Sequence, residues 1–157
     1  MFAEHQAILM GGTALVYHLK HRESFDLDIC FPFAEKLPSM DFLETFEDVT
    51  SLEFDRAIID TAINEGGDIH ELMQRYIING VKVDFVINPS SNIYESKILQ
   101  NDTGTQLGTL RIASVESIFK LKAKREDPFD FEGIENGVMD LREYDKLKNE
   151  LLNLIVR

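Results

Sequence analysis

Asp26 and Asp28 stand two residues apart in the run Phe25-Asp26-Leu27-Asp28-Ile29-Cys30-Phe31, which Pro32 closes. Aromatic and branched aliphatic residues suit a pleated, half-buried surface, so the run predicts a strand over 25–31. Alternate side chains of a strand share a face. The two carboxylates therefore point together, about 6.6 Å apart along the chain, and Phe25, Leu27 and Ile29 point into the core. Carboxylates at that spacing can share hard cations, and two such ions bridge the attacking and leaving oxygens of an in-line phosphoryl displacement. Cys30 falls on the same face and reads as a small filler, because hard Mg²⁺ prefers oxygen. The same spacing also fits the solvated face of an edge strand in an acidic protein.

The residues upstream favour the first reading. Gly11-Gly12 follows the apolar run Ala7-Ile8-Leu9-Met10 and opens a helical stretch from Thr13 to Lys20. Glycine lets backbone approach a phosphate closely, and the N–H groups at a helix start attract anions. Gly11, Gly12 and Thr13 are thus candidates to hold a triphosphate, with Arg22 and Ser24 as further phosphate-binding candidates. A third carboxylate, which completes the coordination and takes a proton from the attacking hydroxyl, comes from the segment 74–87. Asn79-Gly80 between β-rich runs predicts a hairpin. In its second strand Val81, Val83, Phe85 and Ile87 share one face, which leaves Lys82, Asp84 and Val86 on the other. Asp84 joins Asp26 and Asp28 if the strands are neighbours.

A basic helix follows. Ser114 predicts an N-cap, Val115, Ile118, Phe119 and Leu121 supply an apolar stripe, and Lys120, Lys122, Lys124 and Arg125 cluster as cations. A charge run of this kind also fits a plain solvated face. The four histidines carry no metal-ligand pattern.

Gly-Gly-Thr-Ala-Leu at 11–15 and His-Arg-x-Ser-x-Asp-Leu-Asp at 21–28 closely resemble the nucleotidyltransferases of the AbiEii/AbiGii toxin family, in the polymerase-beta-like superfamily. The Val83-Asp84-Phe85 strand and the Lys-x-x-Ala of Lys120 and Ala123 are similar to later motifs of that family. The resemblance implies an α/β (α+β) fold, with a mixed, partly antiparallel sheet flanked by helices. It also implies transfer of a nucleoside monophosphate from a nucleoside triphosphate, with two Mg²⁺ ions (Mn²⁺ able to substitute) held by Asp26, Asp28 and Asp84. Asp84 would serve as general base and Lys120 would neutralise the triphosphate, with Arg125 and Asp130 as further contacts. The acceptor would be tRNA, another RNA or a protein hydroxyl, with tRNA favoured, and a toxin role in a type IV toxin–antitoxin pair would bring a cognate antitoxin partner. Phe129 and Gly133 depart from the family pattern. They motivate one alternative, a catalytically silent nucleotide-binding or partner-binding module; a separate alternative is a nucleotidyltransferase acting on a small molecule such as an antibiotic.

The chain has 157 residues, one cysteine and a formal net charge of −12. That length predicts a core over 1–112 and a C-terminal helical part over 113–157 packed on it, burying roughly 68–70% of the unfolded surface. No apolar run approaches the ~20 residues that span a bilayer, the start lacks a cleavable signal pattern, and a single thiol excludes an internal disulfide. These point to the cytoplasm. The acids concentrate: residues 41–71 hold ten against the single base Arg56, so any polyanion site must be local to the Lys120–Arg125 region or bridged by cations. The remaining pattern predicts a strand at 6–10, a helix at 12–20, a helix at 39–48 and a strand at 54–63. It then gives the hairpin at 71–87, a short helix or loop at 90–100, a strand at 107–112, and helices at 114–125 and 138–155. In the last of these, Leu141, Tyr144, Leu147, Leu151, Leu152 and Ile155 recur at helical spacing.

Overall fold

The computed structural model describes residues 1–20, 24–87 and 93–124. The chain divides into two compact units, Met1–Ser114 and Val115–Arg157. Seven strands of the first unit form one mixed sheet: β1 (Ile8–Met10), β2 (Leu27–Cys30), β3 (Val49–Leu52), β4 (Met73–Ile78), β5 (Val81–Val86), β6 (Thr105–Leu107) and β7 (Leu110–Ile112). Their spatial order is β3-β4-β5-β2-β1-β7-β6. Helices α1 (Gly11–Leu19), α2 (Arg56–Asn64), α3 (Ile69–Leu72) and α4 (Ile93–Gln100) punctuate that unit, and α5 (Val115–Lys124) belongs to the second. The architecture is mixed α+β, as the alternating strand and helix signals require.

Two local devices set the geometry. Gly11 has φ +73°, a left-handed value that glycine takes without cost, so α1 starts on the residue after β1 ends. The chain then returns through α1, and β2 lies antiparallel to β1, with Met10 paired to Asp28. At the other device Asn79 and Gly80 both have positive φ, 47° and 82°, the combination a tight two-residue hairpin turn needs. That turn pairs Ile78 with Val81, and counting outward from it places Arg75 opposite Asp84.

The long-range pairings then close the sheet. β5 runs parallel to β2, with Asp28 paired to Asp84 and Cys30 to Val86, and β1 runs parallel to β7. Ile8, Cys30, Phe31, Phe85 and Ile112 are all essentially inaccessible, as are Leu15 of α1 and Leu99 of α4; Ile8 and Cys30 lie on one face of the sheet and Phe85 and Ile112 on the other. Phe31, Phe42 and Tyr76 all contact Phe85 with ring centroids 5.8–6.4 Å apart, and Phe2 packs on Phe31 and Phe42. Such aromatic pairs add to the stabilisation that burial itself provides.

Several expectations need correction. Residues 54–63 are not a strand: Arg56–Asn64 is helix α2, entered from Asp55. Ile58, Ile59, Ala62 and Ile63 recur one and four apart, a helical period that β-branched content disguised. The helix expected at 39–48 shrinks to a 3₁₀ turn at Asp41–Thr45, because the chain turns extended at Phe46 and enters β3 at Val49. There Asn79 N–H donates to the Asp48 carbonyl, which holds this end of β3 against the hairpin turn. The strand expected at 107–112 is a hairpin, β6 and β7, with Gly108 at φ +60° in the turn. The aspartate strand starts at Leu27, and Phe25, expected in the core, is 75% exposed. The strand expected at 6–10 begins at Ile8, after Gln6 at φ 49°. The helix expected at 138–155 lies outside the described residues.

A candidate active site at the strand–helix corner

One face of the sheet collects the charged residues. The strand period puts Arg75 of β4, Lys82 and Asp84 of β5, and Asp28 of β2 on the same side, since register partners share a face. Neighbouring strands lie about 4.8 Å apart, so Asp28 and Asp84 are side by side. Asp26, two residues before Asp28, reaches the same cluster: Lys82 Nζ is 3.8 Å from Asp26 Oδ2 and 3.5 Å from Asp84 Oδ2. Arg75 Nε lies 3.5 Å from Asp84 Oδ1. These are charge contacts at the long end of hydrogen-bonding range. Arg75 Nε and Asp84 Oδ1 are both buried without a hydrogen-bond partner.

The glycine corner adjoins these acids. A Cβ built on Gly11 would stand 2.2 Å from Asp28 Oδ2, so this carboxylate occupies the space that a side chain at position 11 would fill. Met10, the residue before α1, provides no side-chain capping hydrogen bond. In the first turn the Thr13 hydroxyl donates to the Asp26 carbonyl oxygen and is hydrogen-bonded to Ser24 Oγ at 2.9 Å. Thr13 therefore ties the helix start to the segment that carries Asp26. Exposure falls from Asp26, whose side chain is 59% accessible, to Asp84 at 11%, so the cluster runs from solvent toward the interior.

The structure thus brings together Gly11, Thr13, Ser24, Asp26, Asp28 and Asp84, and Gly12 follows in the same helical turn. Lys120 belongs to the second unit, where its ammonium pairs with Glu116 one turn earlier at 2.6 Å. Arg22, Arg125 and Asp130, and with them Phe129 and Gly133, lie outside the described residues. Cys30 is buried, its thiol pushed up to about 12 by desolvation. It therefore remains a protonated filler, as its type suggested.

The sequence put Lys82 on the face of Asp84 without a role for it and left Arg75 unremarked, although both were legible. Lys82 precedes Asp84 by one strand period, and Arg75 is opposite Asp84 once the turn is fixed at Asn79-Gly80. Asp102, also overlooked, is buried and organises the far edge: its carboxylate accepts from Gly104 N–H, Ser114 N–H and the Ser114 hydroxyl. The Ser114 hydroxyl, ahead of α5, donates to Asp102, and its lone pairs can still accept a hydrogen bond. A separate cavity of about 250 Å³ is lined by Ala3, Gln6, Ala7, Gln106, Thr109 and Arg111, none of them in the acidic cluster.

Three oxygen-only side chains, one with a buried oxygen lacking a donor, suit a hard divalent cation by donor chemistry. As placed, however, no three His, Cys, Asp or Glu side chains among the described residues stand close enough together to hold one ion. The Lys82 ammonium lies between Asp26 and Asp84. No family model, curated protein or solved structure matches the chain. Among the described residues no helix is long and apolar enough to cross a membrane.

Proposed function

We propose that this chain is a Mg²⁺-dependent nucleotidyltransferase that moves a nucleoside monophosphate from a nucleoside triphosphate to an acceptor hydroxyl. The observation that carries the reading is the register pairing of Asp28 with Asp84 beside Gly11. It sets two carboxylates from distant segments next to a backbone corner able to receive phosphate. Asp26, Asp28 and Asp84 would hold the divalent ions, which when bound polarise the phosphoryl oxygens and offset their charge.

The roles of the chain's own groups follow. Backbone N–H groups at the start of α1 bind the triphosphate oxygens, while the space over Gly11 itself takes the Asp28 carboxylate. Thr13 and Ser24 fix the segment that aims Asp26. Asp84 takes the proton of the acceptor hydroxyl as its oxygen bonds to the α-phosphorus and the bond to the departing pyrophosphate breaks. The reading assigns Lys120, and with it Arg125 and Asp130, to the triphosphate. The favoured acceptor is tRNA or another RNA, in the cytoplasm, with a toxin role opposed by a cognate antitoxin.

The test is incubation of the full chain with each α-labelled nucleoside triphosphate, Mg²⁺ and total RNA or total protein. Label should transfer to an acceptor, and Asp26→Ala or Asp84→Ala should abolish it. Absence of transfer to every acceptor would sink the reading. One observation favours a catalytically silent binding module as a second reading: Lys82 lies among the acids. That reading expects saturable nucleotide binding with no turnover.

A further inference from the structure

We infer that Lys82 is an exchangeable counter-ion, which keeps Asp26 and Asp84 together in the ion-free protein and leaves when a divalent cation binds. The inference rests on the metal-dependent reading of this site and adds a residue that reading did not use.

The two cations at the cluster are held differently. Arg75 lies with its guanidinium carbon 5.7 Å above the Phe54 ring, and its Nε is buried. A stacked, planar guanidinium gains little by leaving. Lys82 has neither restraint. Both side chains are 31% exposed and both reach Asp84 at 3.5 Å, so the ring under Arg75 and its buried Nε are what set the two cations apart. A strongly hydrated ammonium on a flexible four-carbon stem can swing to water at small cost.

Position points the same way. The ammonium lies in contact with two of the three carboxylates an ion would use, so both cannot occupy that space. Lys82 is therefore a positioning residue. It limits repulsion among the acids until the ion arrives and lowers the apparent affinity for that ion by competing with it.

The experiment measures Mn²⁺ binding to the full chain by electron paramagnetic resonance, without nucleotide or acceptor, for wild type, Lys82→Met and Lys82→Arg. Removing the charge while keeping the stem should tighten Mn²⁺ by about tenfold. Lys82→Arg, which keeps the charge, should not tighten it. A purely structural lysine would lower the melting temperature in Lys82→Met without tightening the metal. In wild type, acylation of Lys82 by an amine-reactive ester, read by mass spectrometry, should rise when Mn²⁺ replaces K⁺ at equal ionic strength; this arm needs no variant to fold. Equal affinities in all three proteins, or unchanged acylation in a wild type that binds Mn²⁺, reject the exchange and leave the proposed activity standing. No Mn²⁺ binding by any of the three rejects the metal-dependent reading and the exchange together.

Discussion

The Asp28 carboxylate lies over the α-carbon of Gly11, so close that a Cβ there would be 2.2 Å from Oδ2. Gly11 also has φ +73°, which an L side chain rarely adopts. Position 11 is therefore restricted twice, by conformation and by space.

Gly11→Ala should destabilise the fold by about 3 kcal/mol and displace Asp28, combining left-handed strain with a steric clash. Gly80 has φ +82° but nothing within 4 Å of the point where a methyl group would stand, so Gly80→Ala should cost only about 1 kcal/mol. Urea unfolding of both variants measures the difference. Equal costs would mean that the Asp28 contact does not constrain position 11.

Asp84 is the deepest of the three acids and has Arg75 and Lys82 against it. Asp84→Asn keeps the shape but leaves the buried Arg75 Nε without its counter-charge. The expected loss is about 1–3 kcal/mol of stability, read by thermal or chemical unfolding. Double substitution with Arg75→Met should recover part of that loss, because the stranded charge is then gone. An additive double variant would show that the two groups are not coupled.

Cys30 supplies a pH dependence. Burial raises its thiol from 9.0 to about 12, so in the folded chain the proton stays on where the unfolded chain loses it. The stabilising contribution is complete below pH 9 and is lost as pH climbs from there toward 12. Relative to Cys30→Ala, wild type should lose about 2 kcal/mol more between pH 8 and pH 10.5 in urea unfolding. At pH 8 the native thiol should resist a disulfide reagent and react only after unfolding. Rapid native reaction would mean that the thiol is not buried.

Asp102 should matter to stability although it lies outside the acidic cluster. Its carboxylate receives Gly104 N–H at 2.8 Å, Ser114 N–H at 3.1 Å and the Ser114 hydroxyl at 2.6 Å, and it is 6% exposed. Asp102→Ala should cost about 2–4 kcal/mol, since hydrogen bonds to a charged acceptor are lost and buried donors are stranded. Circular dichroism melting measures it. A change below about 0.5 kcal/mol, the range of ordinary surface substitutions, would contradict the role.

Local signals carried much of this fold. The Asn79-Gly80 hairpin, the strand at Asp28 and the helix after Gly11 all follow from backbone preferences that act within a few residues. Residues 54–63 failed because isoleucines at helical spacing also satisfy a count of β-formers, and α2 buries none of its side chains fully, so no packed face marked it as a helix. The 3₁₀ turn at Asp41–Thr45 and the added strand β6 reflect pairing to other segments, which no short window contains.

The chain's own order of residues determined which carboxylates can share a face and that Arg75 stands opposite Asp84. The alternation of a strand and the register of a tight turn are short-range steric properties. Only the tertiary structure decided that β5 lies parallel beside β2 with Asp84 level with Asp28, and that the Lys82 ammonium sits between Asp26 and Asp84. Strands far apart in sequence choose neighbours by burying apolar faces together, as Phe85 does against Phe31, and that competition involves the whole sheet at once.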